Sequence, residues 1–259
     1  MKILITGGNG YLARTICKAL WKEHNIIAPS KQMLDLTCKQ SVDSFFEGEY
    51  FDTVIHTAAR GVSNPREKDL SIVFDNIIMF DSLLQKKDHI GKIINLGSGA
   101  ELNLEDTAYG YSKRVIQSLG QRQDNYYNLR LFGVFSYSEL DTRFIKANIK
   151  RYINNQPIEI HQNKMMDFFF VEDLLSIIKF LILNDIEERQ IDCVYDQPIT
   201  LEAIAKYINN LSSYKVPINI QQRGLAPNYI GQFTDLGIEM IGLEEGIKLT
   251  YKKLLNEAN

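Results

Sequence analysis

The sequence has 259 residues, of which 45% are apolar and 24% are charged, as expected for a globular domain with or without a small lobe. Its net charge is -3 and no basic patch stands out, which argues against nucleic acid as a partner. The cysteines, Cys17, Cys38 and Cys193, are three in number and irregularly spaced. This pattern indicates reduced thiols in a cytoplasmic protein, and no His–Cys cluster suggests a metal site.

The apolar runs of the sequence do not predict a signal peptide or a membrane-spanning helix. The apolar run at the start, KILIT, is too short for a signal peptide and is interrupted by glycines. The most apolar later stretch, Phe168 to Leu183, contains Glu172, Asp173 and Lys179 and is therefore expected to be buried in the protein. We expect no membrane association.

In the first half of the chain, short apolar runs alternate with helical patterns. Strands separated by helices predict βαβ units, and the β-branched runs without alternation predict strands that are covered on both faces. The expected fold is α/β, a Rossmann-like doubly wound parallel sheet. The predicted strands are 2–6, 25–29, 53–59, 92–98 and 127–135, and the predicted helices are 11–23, 41–46, 69–86 and 109–123.

The second half is less regular. We expect residues 1–135 to form a dinucleotide-binding core, with additions from about 165–184, and residues 136–259 to form a smaller substrate-binding lobe interleaved with it. The segment around Arg223–Gly231 is predicted to be a flexible loop. The predicted helices here are 143–154, 171–184, 200–210 and 244–257, and the predicted strands are 157–162 and 167–171.

The segment TGGNGYLA lies between the first strand and the first helix, as a dinucleotide-binding turn requires. Gly7 permits the tight turn, Gly10 lets the backbone approach a pyrophosphate, and Ala13 is small enough for the helix to pack on the strand. The helix N-terminus then offers N–H groups to the phosphates. The alternative is a strand–turn–helix without a ligand. The other residues expected to contact the cofactor here are Asn9, Tyr11 and Leu12.

The end of the second strand bears on the choice of cofactor. NAD-binding folds usually have an acidic residue there for the ribose 2′-OH, whereas this chain has Ser30 and Lys31. These side chains could bind a 2′-phosphate, which favours NADP(H), while NAD(H) remains an alternative. Asp35 and Leu36 are expected beside the adenine.

Tyr109 and Lys113 are four residues apart and share one face of the predicted fourth helix. A neighbouring ammonium favours the phenolate, so such a tyrosine can exchange a proton with an alcohol or ketone near neutral pH. The lysine can also bind the nicotinamide ribose. Tyr111 is not part of such a pair, because Val115 lies four residues after it.

Ser98 ends the predicted fourth strand between two glycines, and its hydroxyl could bond the same substrate oxygen. The alternative is a turn serine that is satisfied by the backbone. Gly99 would let a substrate come close. His56, in the third strand, is expected to be a packed strand histidine rather than a base.

Together these motifs resemble the extended short-chain dehydrogenase/reductase family, also called NAD-dependent epimerase/dehydratase, whose members mostly modify nucleotide sugars. TGGNGYLA, VIHTAA (54–59), YGYSK (109–113), LRLFGVF (129–135) and MDFFFVEDL (166–174) are similar to its motifs. The resemblance implies catalysis by Ser98, Tyr109 and Lys113. It also implies cofactor contacts from Thr57, Ala58, Ala59, Asn76 and Phe132, and substrate contacts from Gly99, Arg130, Gly133 and Arg223.

Departures from the family motifs disfavour some of the reactions that members of the family catalyse. The 4,6-dehydratases have Asp-Glu directly after the hydroxyl residue, but Gly99 and Ala100 follow Ser98 here, and Glu101 comes one residue late. The epimerase-reductases that make GDP-fucose have a cysteine where this chain has Ala100. These departures favour NADP(H)-dependent reduction of a nucleotide-linked 4-keto-6-deoxy sugar.

Two other functions remain open. The first is a nucleotide-sugar epimerase with bound NAD, or with less support a dehydratase. The second is an NADP-binding sensor or scaffold without catalysis, which the presence of both Tyr109 and Lys113 disfavours. A homodimer through the helices after the third and fourth strands is common in the family and is compatible with this sequence.

Overall fold

A computed structural model describes residues 1–62, 67–104 and 106–258 of the chain. The chain forms two compact units. The first comprises Met1–Arg130 and Ile178–Ile191, and the second comprises Leu131–Ile177 and Asp192–Asn259. No helix in the described part of the chain is long and apolar enough to cross a membrane.

A six-stranded sheet is the centre of the fold, with the strand order β2-β1-β3-β4-β5-β9. β1 pairs in parallel with β2 and β3, and β3 pairs in parallel with β4. The predicted Rossmann-like parallel sheet is therefore confirmed. Its strands are β1 (Lys2–Ile5), β2 (Asn25–Ile27), β3 (Phe51–His56), β4 (Ile90–Ser98), β5 (Tyr126–Leu131) and β9 (Gln190–Cys193).

Helices connect these strands, as βαβ crossovers require. Because helices cover the sheet, β1 is apolar on both faces, and Ile3, Leu4 and Ile5 are fully buried. The connecting helices are α1 (Tyr11–Leu20), α2 (Lys39–Phe46), α3 (Ser71–Leu84), a short 3₁₀ helix (Lys87–His89), α4 (Ala100–Asn103), α5 (Ala108–Gly120) and α7 (Val171–Leu183).

The second unit has its own apolar core, which includes Ile149, Tyr152, Ile204 and Ile247. Two small parallel pairs, β6 with β8 and β7 with β10, accompany its helices. Its elements are β6 (Val134–Phe135), α6 (Phe144–Ile153), β7 (Ile158–Asn163), β8 (Phe169–Phe170), α8 (Leu201–Asn209), β10 (Ile218–Leu225) and α9 (Leu243–Ala258).

The structure corrects the prediction of one strand over 127–135. β5 ends at Leu131, and after Phe132 and Gly133 the chain continues as β6, which pairs with β8. Gly133 is the reason for the break, because its carbonyl accepts a hydrogen bond from Phe169 and a Cβ there would lie 2.9 Å from the Phe168 ring.

Strands β9 and β10 were not predicted from the sequence. β10 includes Arg223–Leu225, so the prediction of a flexible loop beginning at Arg223 was wrong for these residues. The strand was missed because its side chains are exposed almost throughout and the alternation of apolar residues ends after Ile220.

Candidate active site

The glycine turn after β1 is closed by a hydrogen bond of 2.8 Å from the Gly10 N–H to the Gly7 carbonyl. Gly7 has φ +68°, a conformation that favours glycine. α1 begins at Tyr11 without a side-chain cap on Gly10. The first N–H groups of a helix have no intrahelical partner, so this turn presents uncapped donors and a positive dipole end. Asn9 lies in the turn, and Tyr11 and Leu12 form the start of α1.

The same turn passes very close to the neighbouring loops of the sheet. A Cβ on Gly8 would lie 2.3 Å from the Ala28 carbonyl oxygen, and one on Gly7 would lie 3.0 Å from the Ala58 Cα. Ala13 is fully buried, as its packing role predicted. The sequence analysis did not assign a role to Gly8, although the doubled glycine of TGG was a visible signal. The two glycines allow three loops to converge on one place.

The segment after β2 forms a turn in which the Ser30 carbonyl accepts the N–H groups of Met33 and Leu34. The exposed Lys31 ammonium lies 3.6 Å from the Asp35 carboxylate. Hydrogen bonds from Thr37 and the charge of Lys31 lower the pKa of Asp35. Leu36 is buried. Lys31 therefore lies at the predicted place with one carboxylate beside it.

The loop after β3 is fastened to the end of β1 through Thr6. The Thr6 hydroxyl accepts the N–H groups of Thr57 and Ala58, and the Thr57 hydroxyl donates to the Thr6 carbonyl. Thr57, Ala58 and the following Ala59 are half-buried. These bonds keep the loop against the glycine turn.

His56 lies beneath this loop, with its Nδ1 2.9 Å from the Thr6 hydroxyl. Burial, with a contribution from the charge of Lys113, lowers the pKa of His56 to about 3. A neutral, packed imidazole is consistent with the predicted strand histidine.

Asn76 connects the loop after β3 to α5. Its side-chain oxygen accepts the Arg60 N–H, and its amide group donates to the Arg60 carbonyl and to the Ser112 hydroxyl. Both amide hydrogens are thus donated to protein atoms. This geometry gives Asn76 a positioning role, and its assignment to the cofactor stays a prediction.

Tyr109 and Lys113 lie one turn apart on α5, whose N-terminus is capped by the Thr107 hydroxyl. The Lys113 ammonium is 5.9 Å from the Tyr109 ring centroid and donates a 2.7 Å hydrogen bond to the Leu96 carbonyl of β4. Both side chains are buried. Burial lowers the pKa of Lys113 to about 8, while the charge of Glu101 opposes this shift. Tyr111, by contrast, is exposed.

Ser98 ends β4 and is buried. Its hydroxyl accepts the N–H of Ala100, which is the backbone contact that the alternative interpretation of a turn serine predicts. Gly99 follows and precedes the single turn of α4. Ala100 packs with Tyr109 and Ile72 in one buried cluster, so the end of β4 lies beside the Tyr–Lys pair.

Glu101 is the residue of this region that the sequence analysis left without a role. Its side chain is buried, with one carboxylate oxygen accepting the Ser98 N–H at 2.8 Å and the other accepting the Asn128 side-chain amide at 3.0 Å. Burial raises the pKa of Glu101 to about 7, and the Ser98 hydrogen bond and the charges of Lys113 and Arg130 oppose this. The sequence shows only an acid three residues after the candidate catalytic serine, and the burial of its side chain comes from the structure.

The remaining predicted residues are distributed over both units. Arg130, in the first unit, is half-buried at the end of β5. In the second unit, Phe132 packs edge-on against Tyr229 and Gly133 packs against Phe168. Arg223 lies exposed on β10.

Comparisons with known proteins agree with this geometry. The model of the NAD dependent epimerase/dehydratase family matches residues 3–193. The chain belongs to this family. It is an enzyme of the epimerase/dehydratase type, which confirms the resemblance predicted from its motifs.

Among curated proteins, the chain is similar to the CDP-abequose synthase of Yersinia pseudotuberculosis. The two are 23% identical over 211 residues, which cover 71% of this chain and 74% of the relative. At this level of identity the name of the relative does not assign a substrate.

Two solved structures show the same fold. The UDP-glucose 4-epimerase of Thermotoga maritima, solved with UDP-glucose, has a TM-score of 0.79 at 17% identity and full coverage of both chains. The GDP-mannoheptose C4 reductase of Campylobacter jejuni, solved with NADP bound, has a TM-score of 0.79 at 15% identity and 98% coverage of both chains.

The glycine turn yields a test that needs no substrate. A Cβ on Gly10 would meet only the Gly7 carbonyl, at 3.1 Å, so a side chain there requires a small shift of the turn but meets no other atom within 4 Å. Gly10→Val should therefore leave thermal unfolding nearly unchanged but weaken dinucleotide binding strongly, because the side chain occupies the space beside the helix N-terminus. Fluorescence titration with NADPH and NADH measures this, and unchanged affinity would show that no phosphate binds at the turn.

Proposed function

We propose that this enzyme reduces a keto group of a nucleotide-linked sugar with NADPH, and that the sugar is of the 4-keto-6-deoxy class. The observation that carries the proposal is the burial of Tyr109 and Lys113 one turn apart on α5, beside the strand end that bears Ser98. Phenol, ammonium and hydroxyl are the groups that carbonyl reduction requires for proton donation and orientation.

The glycine turn fits a dinucleotide, because its glycines leave room for a close ligand and its helix N-terminus presents uncapped N–H donors. The residues that would hold the dinucleotide include the predicted turn residues Gly7, Asn9, Gly10, Tyr11 and Leu12, with Ser30, Lys31, Asp35 and Leu36 around the adenosine and Thr57, Ala58 and Ala59 beside the sheet edge. NADPH supplies the hydride when bound, and the protein supplies orientation and electrostatics.

In this mechanism Tyr109 donates its phenolic proton to the carbonyl oxygen of the substrate. Ser98 donates a second hydrogen bond to that oxygen, since the contact with Ala100 uses only an acceptor site of its hydroxyl. Lys113 binds the nicotinamide ribose, and its charge favours the phenolate that is left after proton transfer. The bond from Lys113 to the Leu96 carbonyl orients the ammonium for this role.

The surroundings of Ser98 favour simple reduction over water elimination. Ala100 is apolar, and the carboxylate of Glu101 is committed to the Ser98 N–H and the Asn128 amide. A carboxylate held this way is not positioned to remove a proton from a sugar carbon. The name of the Campylobacter C4 reductase, solved with NADP bound, supports reduction of a nucleotide sugar. The name of CDP-abequose synthase supports only that the ligand class is a nucleotide sugar.

A nucleotide-sugar epimerase with bound NAD is the second candidate. It is favoured by the equally high structural similarity to the Thermotoga 4-epimerase and by the Asp35 carboxylate beside Lys31. The two candidates differ in what copurifies: an epimerase of this kind retains NAD and interconverts C4 epimers without added cofactor. Mass spectrometry of products from a panel of nucleotide 4-keto sugars with NADPH distinguishes them.

The predicted substrate contacts of Gly99, Arg130, Gly133 and Arg223 are part of this proposal. Because the first unit contains the glycine turn and the Tyr–Lys pair, it would hold the dinucleotide. The second unit would be the substrate-binding lobe.

The cofactor preference depends on Lys31. NADPH should bind more tightly than NADH, by roughly 1–3 kcal/mol for one charge-assisted contact to the 2′-phosphate. Lys31→Glu should erase or reverse the preference, because a carboxylate repels the phosphate and can accept the 2′-OH. Lys39→Glu, which changes an exposed lysine that pairs with Asp43, is the charge-matched control. Equal binding of both dinucleotides to the unaltered protein would contradict the preference.

The catalytic proton is tested at Tyr109. Tyr109→Phe keeps the ring and its packing with Ala100 but removes the proton donor, which should lower turnover by about 10²–10⁴-fold. Affinity for NADPH should change little, because Lys113 and the glycine turn are intact. Steady-state kinetics on an identified substrate and fluorescence titration measure the two effects.

Two further variants separate the roles in that experiment. Lys113→Met should weaken NADPH binding and move the pH–rate profile upward, because the phenol loses the cation that favours its ionisation. The exposed Tyr111 provides the matched control, and Tyr111→Phe should be nearly silent. Full activity of Tyr109→Phe would refute this site and favour a sensor or scaffold.

We also propose that a second copy of the chain covers the outer faces of α3 and α5. Leu70, Phe74 and Ile78 are exposed at or beside α3 at a spacing of four residues, which places them on one face. A stripe of exposed large apolar side chains is typical of an interface. Phe74→Asp should convert a dimer to a monomer in sedimentation equilibrium. Leu225→Asp, at a similarly exposed position on β10, should not. A monomeric parent protein would contradict this proposal.

A further inference from the structure

Glu101 is a buried acid near the candidate active site, and its carboxylate is fixed on both sides. One oxygen accepts the backbone N–H of Ser98, and the other accepts the side-chain amide of Asn128. Asn128 is fixed in turn, since its side-chain oxygen accepts from Asn95 at 2.7 Å and from the Tyr126 hydroxyl at 3.2 Å. The carboxylate therefore has one defined position against β4 and β5.

Two glycines make room for this carboxylate. A Cβ on Gly97 would lie 2.5 Å from the Glu101 carboxylate and 2.5 Å from the Asn128 oxygen. A Cβ on Gly110 would lie 1.9 Å from the Leu104 carbonyl and 2.7 Å from that of Ala100, so only glycine lets α4 pack this closely on α5. The local sequence is arranged to place Glu101 directly beside the end of β4 and the start of α5.

The charged and titratable groups around this position come from several elements. The charges of Lys113 in α5 and Arg130 in β5 lower the pKa of Glu101. The charge of Glu101 contributes to the raised pKa of Tyr126 in β5. His56 of β3 is neutral at physiological pH, and the charge of Lys113 contributes to its lowered pKa. Among these groups, Glu101 supplies the negative charge that favours the ammonium form of Lys113.

We propose that Glu101 is a positioning residue of the active site, which fixes Ser98 through its backbone N–H and supplies the buried charge that keeps Lys113 protonated. Nothing in this role requires Glu101 to touch the substrate. The role deepens the proposed function and rests on it, because Ser98 and Lys113 matter to catalysis only if the Tyr–Lys site reduces a substrate.

The physical reason is the cost of burying an ammonium group. Desolvation disfavours the charged form of Lys113, and its bond to the Leu96 carbonyl satisfies one of its three hydrogens. The buried carboxylate of Glu101 opposes that shift, so the pKa of Lys113 is higher with it than without it. Without Glu101 the lysine would lose its proton at a lower pH, and its charge would assist Tyr109 over a narrower pH range.

The test follows Lys113 directly and uses neither cofactor nor substrate. The full chain is labelled with lysine carrying ¹³C at Cε, and the Lys113 signal is assigned by its absence in Lys113→Met. In the parent protein the signal should titrate with a midpoint near pH 8. In Glu101→Gln the midpoint should fall by at least about one pH unit, the shift expected for loss of a nearby opposite charge. An unchanged midpoint would overturn the proposal.

Glu139→Gln is the matched control. Glu139 is also a buried acid with a raised pKa of about 8, but its charged neighbours are Arg143 and Lys146 rather than Lys113. The Lys113 midpoint should therefore equal that of the parent protein. A shift as large as in Glu101→Gln would show that the loss of any buried acid perturbs the lysine, which also overturns the proposal.

Glu101→Asp separates the two parts of the role and serves if Glu101→Gln does not fold. It retains the charge but withdraws the carboxylate from the Ser98 N–H. The Lys113 midpoint should stay near that of the parent protein, while kcat on an identified substrate should fall with little change in NADPH affinity. A midpoint shift of a full unit would contradict the effect of the charge on Lys113. An unchanged kcat would contradict the positioning of Ser98. Because the titration needs no turnover, failure of the proposed reaction would leave its result intact and distinguishable.

Discussion

The close approach of backbone segments at the carboxyl edge of the sheet is the constraint on which the rest of this structure depends. Parallel strands end at the same edge, so the loops after β1, β2 and β3 must share a small volume. Gly7 and Gly8 make this physically feasible, since a Cβ on Gly8 would overlap the Ala28 carbonyl. Thr6 then fastens the loop after β3 with its hydroxyl and carbonyl.

Much of this edge could be predicted from sequence because it is specified locally. A glycine turn between an apolar run and a helix has few conformations, and a Tyr–Lys spacing of four places both side chains on one helical face. Alternating strands and helices then predict the parallel sheet, which the structure confirms. The elements that were missed or wrongly predicted are those that depend on contacts with residues far away in the sequence. β10 pairs with β7 although its side chains are exposed, and the break at Gly133 comes from contacts with Phe168 and Phe169.

The position of Glu101 could not be predicted from the sequence for the same reason, because it depends on contacts with distant residues. In the sequence it is a late acid after Ser98, and comparison with a motif could only say that it stands in the wrong place for a dehydratase. Its partner Asn128 is 27 residues away on β5, and Asn128 is itself held by Asn95 and Tyr126. No spacing rule connects these four residues, because parallel strands bring them together through the sheet. The buried polar group was therefore visible only once the strand order was known.

The charges of the site also explain one another. A buried ammonium, a buried carboxylate and a buried imidazole cannot all be ionised cheaply in a low-dielectric interior. Burial resolves this by lowering the pKa of His56 to about 3, so that the imidazole stays neutral and does not compete with Lys113 for the charge of Glu101. Burial lowers the pKa of Lys113 and raises that of Glu101, and the charge of each group opposes the shift of the other. A site built this way ties the charge of the lysine, and with it the acidity of Tyr109, to the protonation of Glu101.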